Sequence, residues 1–203
     1  MNSTLILASA SPRRRELLTQ AGYRFEVQPS STPESRQPGE DAIRFATRLA
    51  REKAEEVFAR HQPSTAPVMV LGADTVVVCD GEVMGKPADG ADATRMLLLL
   101  SGRTHQVVTG VAVVWDLGSA EVAAELTQVT MSTLSPQEIA DYVASGEPMD
   151  KAGAYAIQGY AGRWIPRIHG CYFNVVGLPL ALVTSLLEGA ELRTQANSIQ
   201  QKI

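Results

Sequence analysis

The sequence has little that would suit a secreted or membrane-spanning protein. Its 203 residues include only two cysteines, Cys79 and Cys171, which lie far apart and form no C-x-x-C pair. We therefore expect reduced thiols in a cytoplasmic protein. No apolar run in the sequence is long enough to span a bilayer. The early apolar run at residues 5–8 follows no basic segment and is too short for a signal peptide.

Aromatic residues and an excess of positive charge are also scarce. Aromatic side chains make up 5% of the chain, and the formal net charge is -4 at pH 7. An acidic chain without an aromatic stacking motif argues against nucleic acid and anionic membranes as partners. The three consecutive arginines at residues 13–15 are therefore a local feature. Binding to DNA that weakens steeply with salt would revive the nucleic-acid interpretation.

Short apolar runs and amphipathic helical segments are mixed along the chain. This pattern predicts an α/β protein with a mixed, twisted sheet flanked by helices. No linker is evident, so we expect a single domain over residues 1–203, with a polar and partly frayed tail from about residue 191. Strands are predicted at residues 4–8, 23–28, 104–115, 120–134 and 164–170, a β-rich hairpin at 67–87, and helices at 12–21, 41–60, 91–100, 136–146 and from 179.

The arginine run lies where a helix disfavours positive charge. Ser11 suits the N-cap and Pro12 the first helical position, which places residues 13–15 in the first turn. The amino end of a helix carries partial positive charge, so a bound anion would resolve the conflict. Ser9 and Ser11 would add hydroxyl donors to such a phosphate site. In the alternative interpretation, the arginines extend into solvent or pair with Glu16 and other carboxylates.

A second unusual feature is the carboxylate in the apolar segment VMVLGADTVVV. Burying an unpaired carboxylate is costly, so Asp74 must be paired, solvated at a strand end, or used in chemistry. It could ligate Mg²⁺ or Mn²⁺, or take a proton from water. Gly72 would permit a bulge or a close backbone approach. The alternative is a carboxylate that is merely hydrogen-bonded at the end of a strand.

Other candidates are weak when taken singly. Lys86 lies in a turn, Lys53 late in a helix, and Glu34 in a Pro/Ser-rich loop. Taken singly, each of these is more typical of a surface charge or a turn than of a site. Gln158 stands among small residues in AGAYAIQG, which let a ligand approach the backbone, and its amide can read the edge of a base.

Together these segments resemble a known family. LILASASPRRRELL, LAREKA, LGADTVVV, GKP, LSGRTHQVVTGVAV, YVASGEPMDKAGAYAIQG and GLPL occur in this order between about Leu5 and Leu187. They are similar to the motifs of the Maf family of nucleoside triphosphate pyrophosphatases. The stretch DKAGAYAIQG resembles the branch that acts on dTTP and UTP rather than the branch that acts on 7-methyl-GTP.

The resemblance implies a fold, a reaction and a set of site residues. It implies two lobes around a central cleft, as in inosine triphosphatase-like proteins, a homodimer, and hydrolysis of a nucleoside triphosphate to the monophosphate and pyrophosphate with Mg²⁺, Mn²⁺ or Co²⁺. The implied catalytic residues are Asp74, as proton acceptor, and Lys86. The implied substrate-binding residues are Ser9, Arg13, Arg14, Lys53, Thr75 and Gln158. The implied metal ligands are Glu34 and Asp74.

Two departures from the family pattern stand out. Pro33-Glu34 replaces the Asp-Glu that the family often has in the early loop, so only Glu34 carries over as a metal ligand. Ala156 replaces a residue that is usually Gly, which is a small change. A different class of function also fits the phosphate-binding cations. It is a nucleotide-sensing regulator of septum formation without useful turnover, and a pyrophosphate-release assay separates it from the enzyme.

Overall fold

The computed structural model describes residues 3–61 and 67–200, without the side chains of residues 197–200. The strands are β1 (Thr4–Leu7), β2 (Glu26–Val27), β3 (Val68–Cys79), β4 (Glu82–Met84), β5 (Thr104–Asp116), β6 (Ser119–Thr130) and β7 (Arg167–His169). The α-helices are α1 (Pro12–Gln20), α2 (Ala42–Ala59), α3 (Gly90–Leu100), α4 (Pro136–Ala144), α5 (Tyr172–Val176) and α6 (Leu180–Gln200). Three 3₁₀ helices span Glu147–Asp150, Ala152–Ala154 and Tyr160–Trp164. None of the helices described here is long and apolar enough to cross a membrane.

The strands form one mixed sheet, which confirms the predicted α/β class. Their order is β2-β1-β3-β5-β6-β7, and β4 pairs with β3. Strand β1 is parallel to both β2 and β3, with Leu7 opposite Val27 and Leu71. Strand β4 is antiparallel to β3, and β7 is antiparallel to β6.

The chain divides into two compact units. The first comprises the described residues within 1–74, 109–125 and 177–203, and the second comprises 75–108 and 126–176. Strands β3, β5 and β6 each contribute residues to both units. Each unit has a hydrophobic core of its own. The single domain with two lobes stays a prediction.

In the first unit, the core forms where α2 lies against the sheet. Ala50 and Ala54 of this helix pack with Ile6 of β1 and Val70 of β3. Gly72 makes the contact possible, because a Cβ atom at this position would collide with the backbone oxygen of Ala50. The close backbone approach predicted for Gly72 is thereby confirmed.

In the second unit, α3 and α4 cover a separate core. Leu97 of α3 and Ile139 of α4 are buried in it together with Trp164. Helix α4 begins with the predicted capping box. The Ser135 hydroxyl accepts from the Glu138 N–H at 3.2 Å, and the Glu138 carboxylate accepts from the Ser135 N–H at 2.8 Å.

Several predicted boundaries are wrong. Strand β2 has only two residues, β7 has three, and β6 ends at Thr130 rather than at residue 134. The end of β6 was misread because Met131 and Leu134 are buried in the core of the second unit, although neither belongs to a strand. The polar segment from residue 191, where partial fraying was expected, continues α6 to Gln200, and residues 201–203 of this tail lie outside the described residues.

An ion pair fastens the loop before α2 to that helix. Arg48 donates from Nε to Oε1 of Glu40 at 2.7 Å and from Nη2 to Oε2 at 2.8 Å. Its Nη2 also donates to the backbone oxygen of Ser35 at 3.0 Å. The hydrogen bonds from Arg48 lower the pKa of the buried Glu40 to about 2. Arg48 thus holds the loop at the residue next to Glu34.

We expect Glu40→Gln to destabilise the protein by about 2 kcal/mol at pH 7, because it weakens charge-assisted hydrogen bonds that solvent partly screens. The pKa of Glu40 is lower in the folded chain than in the unfolded chain, so its contribution is complete above about pH 4.5. The contribution is lost as the pH falls toward 2. Urea unfolding of both proteins at pH 7 and pH 2.5 measures this. Glu55→Gln, at a half-buried residue of the same helix that pairs with the exposed Arg51, serves as the control, and an equal deficit at both pH values would refute the assignment.

Candidate active site

Three charged side chains of the first unit meet at β3, α2 and the loop before α2. Lys53 donates from Nζ to Oδ1 of Asp74 at 2.6 Å and to Oε1 of Glu34 at 2.5 Å. Lys53 and Asp74 are each 7% exposed, whereas Glu34 is exposed. One ammonium group therefore joins a buried carboxylate to one that reaches solvent.

The packing of α2 on β3 explains this meeting. Gly72 and Asp74 are two residues apart on β3, so their Cα–Cβ directions share one face of the sheet. Gly72 faces Ala50 and Ala54 of α2. Lys53 lies on the same helix and therefore reaches Asp74. Of the states that the sequence allows for Asp74, the structure shows the paired one.

The electrostatics of Asp74 combine two opposing effects. Burial raises the pKa of Asp74, and the positive charges of Lys53 and Arg14 act in the opposite direction. The net effect is a raised pKa of Asp74, to which the negative charge of Glu34 also contributes. A carboxylate with a raised pKa is a stronger proton acceptor than an ordinary aspartate, and this property is typical of a general base.

Arg14 fixes the backbone around this group. Its Nη1 donates to the backbone oxygen of Ala73 at 2.8 Å and to Oγ of Ser9 at 3.1 Å, and its Nε donates to the backbone oxygen of Gly177 at 2.8 Å. Burial lowers the pKa of Arg14, although the charge of Asp74 opposes this shift. Arg14 therefore joins α1 to the strand that carries Asp74.

The first turn of α1 agrees with the sequence prediction in part. Ser11 occupies the N-cap and Pro12 the first turn, as predicted. Within the described chain, however, the Ser11 side chain makes no capping hydrogen bond, and the turn contains no acidic residue. Arg13 is half-buried and Arg15 is exposed. The helix end thus combines positive residues with its own partial positive charge, which favours an anion.

The remaining predicted residues belong to the second unit. Thr75 follows Asp74 on β3 and is half-buried. Lys86 is exposed in the turn after β4. Gln158 is exposed in the turn between two 3₁₀ helices. Each occupies a turn or a strand position that leaves its side chain at least partly accessible.

The predicted metal site depends on the oxygen donors near Asp74. No group of three or more His, Cys, Asp or Glu side chains that could hold a metal occurs among the described residues. Mg²⁺ does not need such a group, because it is commonly bound by one or two carboxylates together with substrate phosphates. Asp74 and Glu34 each place a carboxylate oxygen next to Nζ of Lys53. These hard oxygen donors fit a Mg²⁺ ion.

Sequence reasoning missed supporting residues on both units. Arg48 and Glu40 hold the loop of Glu34. The sequence shows only that Arg48 and Glu52 are spaced to pair on one helix, and it gives no sign of the bond between Arg48 and Glu40. Glu147 supports the turn of Gln158. It lies within a recognised motif, but no pattern in the sequence indicates its partner.

Comparisons with known proteins agree with the family resemblance seen in the sequence. A family model described as "Maf-like protein" matches residues 4–190. The chain is 52% identical over 186 residues to a dTTP/UTP pyrophosphatase of Koribacter versatilis, covering 92% of this chain and 94% of the relative. It is 50% identical over 200 residues to a dTTP/UTP pyrophosphatase of Salmonella typhimurium, covering 98% and 96%.

Solved structures give weaker likenesses. A HAM1 protein from Coxiella burnetii is 14% identical with a TM-score of 0.44, covering 75% of this chain and 86% of that one. A nucleoside-triphosphatase described as a dITP/XTP pyrophosphatase, from Mycobacterium abscessus, is 16% identical with a TM-score of 0.40, covering 63% and 74%. Likenesses at this level are too weak to argue from.

Proposed function

Since this chain belongs to the Maf family, we propose that it hydrolyses dTTP and UTP to the nucleoside monophosphate and pyrophosphate. The observation that carries the proposal is the shared name, dTTP/UTP pyrophosphatase, of relatives about half identical over nine tenths of the chain or more. The pairing of Asp74 with Lys53 supports it, since that pairing holds a basic carboxylate in a buried position.

The proposed reaction uses Asp74 as the general base. Asp74 accepts a proton from a water molecule, and the water oxygen forms a bond to the α-phosphorus. The bond between this phosphorus and the oxygen that bridges to the β-phosphate breaks, and pyrophosphate leaves with the electron pair. Lys53 keeps Asp74 in place before it takes up the proton, and cations of the site stabilise the charge on the leaving group.

We propose Asp74 and Glu34 as the residues that hold a divalent cation. The ion, Mg²⁺, Mn²⁺ or Co²⁺, would neutralise part of the triphosphate charge when bound. On the family resemblance, Ser9, Arg13 and Arg14 are proposed to bind phosphate, and Lys86 to assist catalysis. Thr75 and Gln158 are proposed to contribute to the choice of substrate.

The proposal extends to the setting of the protein. We propose a cytoplasmic homodimer that acts on free nucleotides and needs neither nucleic acid nor a membrane. The two cysteines are free thiols, which suits a reducing compartment. Light scattering after size-exclusion chromatography measures the oligomeric state, and a monomeric mass at assay concentration would overturn the dimer.

Arg13→Ala should lower kcat/KM for dTTP by roughly ten- to a hundredfold and raise KM. It removes a charge-assisted contact worth about 1.5–3 kcal/mol. Steady-state pyrophosphate release measures both constants. Arg15→Ala is the matched control, because Arg15 is exposed in the same helical turn. Equal, small effects of the two substitutions would assign the arginine run to the solvent-exposed surface.

The test of substrate choice is a screen of the purified protein against dTTP, UTP, CTP, ATP, GTP and 7-methyl-GTP. We expect dTTP and UTP to give the highest kcat/KM, CTP to follow by about ten- to a hundredfold, and purines to be poor. Faster hydrolysis of 7-methyl-GTP or ATP than of both dTTP and UTP would reject the branch assignment. Binding of dTTP without turnover would instead favour the regulator.

A further inference from the structure

The turn that carries Gln158 is held at one end by a carboxylate from earlier in the second unit. Glu147 accepts from the backbone N–H of Tyr160, at 3.1 Å through Oε1 and 3.4 Å through Oε2. The Gln158 side chain makes no hydrogen bond to the described residues, so its own contacts do not fix the position of its amide. The position of this amide therefore depends on the backbone of the turn.

The other end of the turn is held by the partner of Glu147. Tyr142, which is 2% exposed, donates from its hydroxyl to Oε1 of Glu147 at 3.0 Å. The same hydroxyl accepts from the backbone N–H of Ala156 at 3.3 Å. Tyr142 and Glu147 thus bind the backbone two residues before and two residues after Gln158. Because the ring of Tyr142 is buried in the core, the hydroxyl that makes both hydrogen bonds has a fixed position.

The carboxylate of Glu147 can lie this close to the turn only because the residue after Gln158 is a glycine. A Cβ atom on Gly159 would collide with Oε1 and Cδ of Glu147. The carboxylate cannot yield without losing its bonds to Tyr142 and Tyr160. Gly159 and Glu147 therefore form one arrangement, in which the missing side chain makes room for the carboxylate.

We infer that Glu147 is a positioning residue for base selection, because it fixes the turn that presents the amide of Gln158. The inference rests on the proposed function, since it assumes that Gln158 reads the pyrimidine edge. A primary amide recognises uracil through one donor and one acceptor, and the backbone of the turn sets where these meet the edge of the base. A loosened turn lets the amide adapt to either base, so selectivity falls while the reacting groups of the first unit keep their places.

The first experiment measures the ratio of kcat/KM for UTP to that for CTP. Glu147→Ala should lower this ratio about tenfold, the equivalent of one misplaced hydrogen bond. Glu147→Gln keeps an oxygen acceptor and should keep the ratio within about threefold of wild type. Glu82→Ala removes an exposed carboxylate of the same unit, which pairs with Arg95 at the surface, and should change nothing. A Glu147→Ala ratio equal to that of wild type would overturn the inference.

A second variant separates positioning from general loss of stability. Gly159→Ala should displace the carboxylate without removing it, and so should lower the UTP/CTP ratio as Glu147→Ala does. In the double variant the two effects should not add, because both remove the same contact. Multiplied effects would mean that the two residues act independently, and the inference would fail. If Glu147→Ala does not fold, Gly159→Ala alone tests the inference, and a UTP/CTP ratio equal to that of wild type would overturn it.

Hydrogen exchange gives a readout that does not depend on turnover. The amide of Tyr160 should exchange faster in Glu147→Ala than in wild type, while helix α3 keeps its protection. Unchanged exchange at Tyr160 would contradict the inference even if activity changed. Failure of the proposed function would give a different result. In that case the wild-type protein itself would show no preference for UTP or dTTP.

Discussion

Replacing Asp74 by Asn is expected to reduce pyrophosphate release from dTTP at least about a hundredfold, the usual scale for a lost acid–base group. The amide cannot accept the proton of the attacking water as a carboxylate does. The fold should survive, because the side chains have nearly the same shape and Lys53 keeps its bond to Glu34. Initial rates under saturating dTTP, together with thermal unfolding of both proteins, measure the two effects.

Asp116→Asn is the matched control for this experiment. Asp116 is an exposed aspartate of the same unit, and its Oδ1 accepts from the backbone N–H of Leu117. Its replacement should leave the rate within about twofold of wild type, since surface substitutions are usually small in effect. A folded Asp74→Asn protein with the turnover of wild type would remove Asp74 from the mechanism.

Replacing Lys53 by Met is expected to destabilise the protein by about 3–5 kcal/mol at pH 7, the cost of leaving a buried charge without its partner. Lys53 lies between Asp74 and Glu34, so its loss leaves two like charges facing each other. Protonation of Asp74 relieves both the burial and the repulsion. In the variant, the pKa of Asp74 therefore rises further above its unfolded value, and the deficit should be smaller at pH 5 than at pH 7.

Denaturant unfolding at the two pH values measures this deficit. Arg51→Met on the same helix is the control, because Arg51 pairs with Glu55 at the surface at 2.7 Å. An exposed pair of this kind contributes about 0.3–0.5 kcal/mol. If Lys53→Met cost no more than Arg51→Met, the buried pairing with Asp74 would have no energetic importance. An equal cost at pH 5 and pH 7 would contradict the assignment of that cost to the charge of Asp74.

Features with short-range causes could be predicted from the sequence. The capping box at Ser135 and Glu138 needs only a spacing of three residues, and the structure confirms it. The Asp80-Gly81 turn is likewise confirmed, with φ angles of 49° and 81° that suit a tight hairpin. The conflict at Asp74 was also visible, because a carboxylate within an apolar strand requires a partner wherever the strand lies.

Features that depend on distant parts of the chain could not be predicted. Arg14 donates to the backbone oxygens of Ala73 and Gly177, which lie far from it in the sequence, so these bonds could not be anticipated, and its contact with phosphate stays a prediction. Glu147 and Tyr160 are similar in this respect, since their bond depends on how two 3₁₀ helices fold back. The short helix α5 was missed because five residues carry too little periodicity to be recognised.

The most direct test of the central claim is ³¹P NMR of dTTP during incubation with the purified protein and Mg²⁺. Hydrolysis between the α- and β-phosphates by a site that depends on Asp74 predicts dTMP and pyrophosphate as the initial products, formed at least about a hundredfold more slowly with Asp74→Asn. The appearance of dTDP and inorganic phosphate, or the persistence of dTTP with the wild-type protein, would contradict the account.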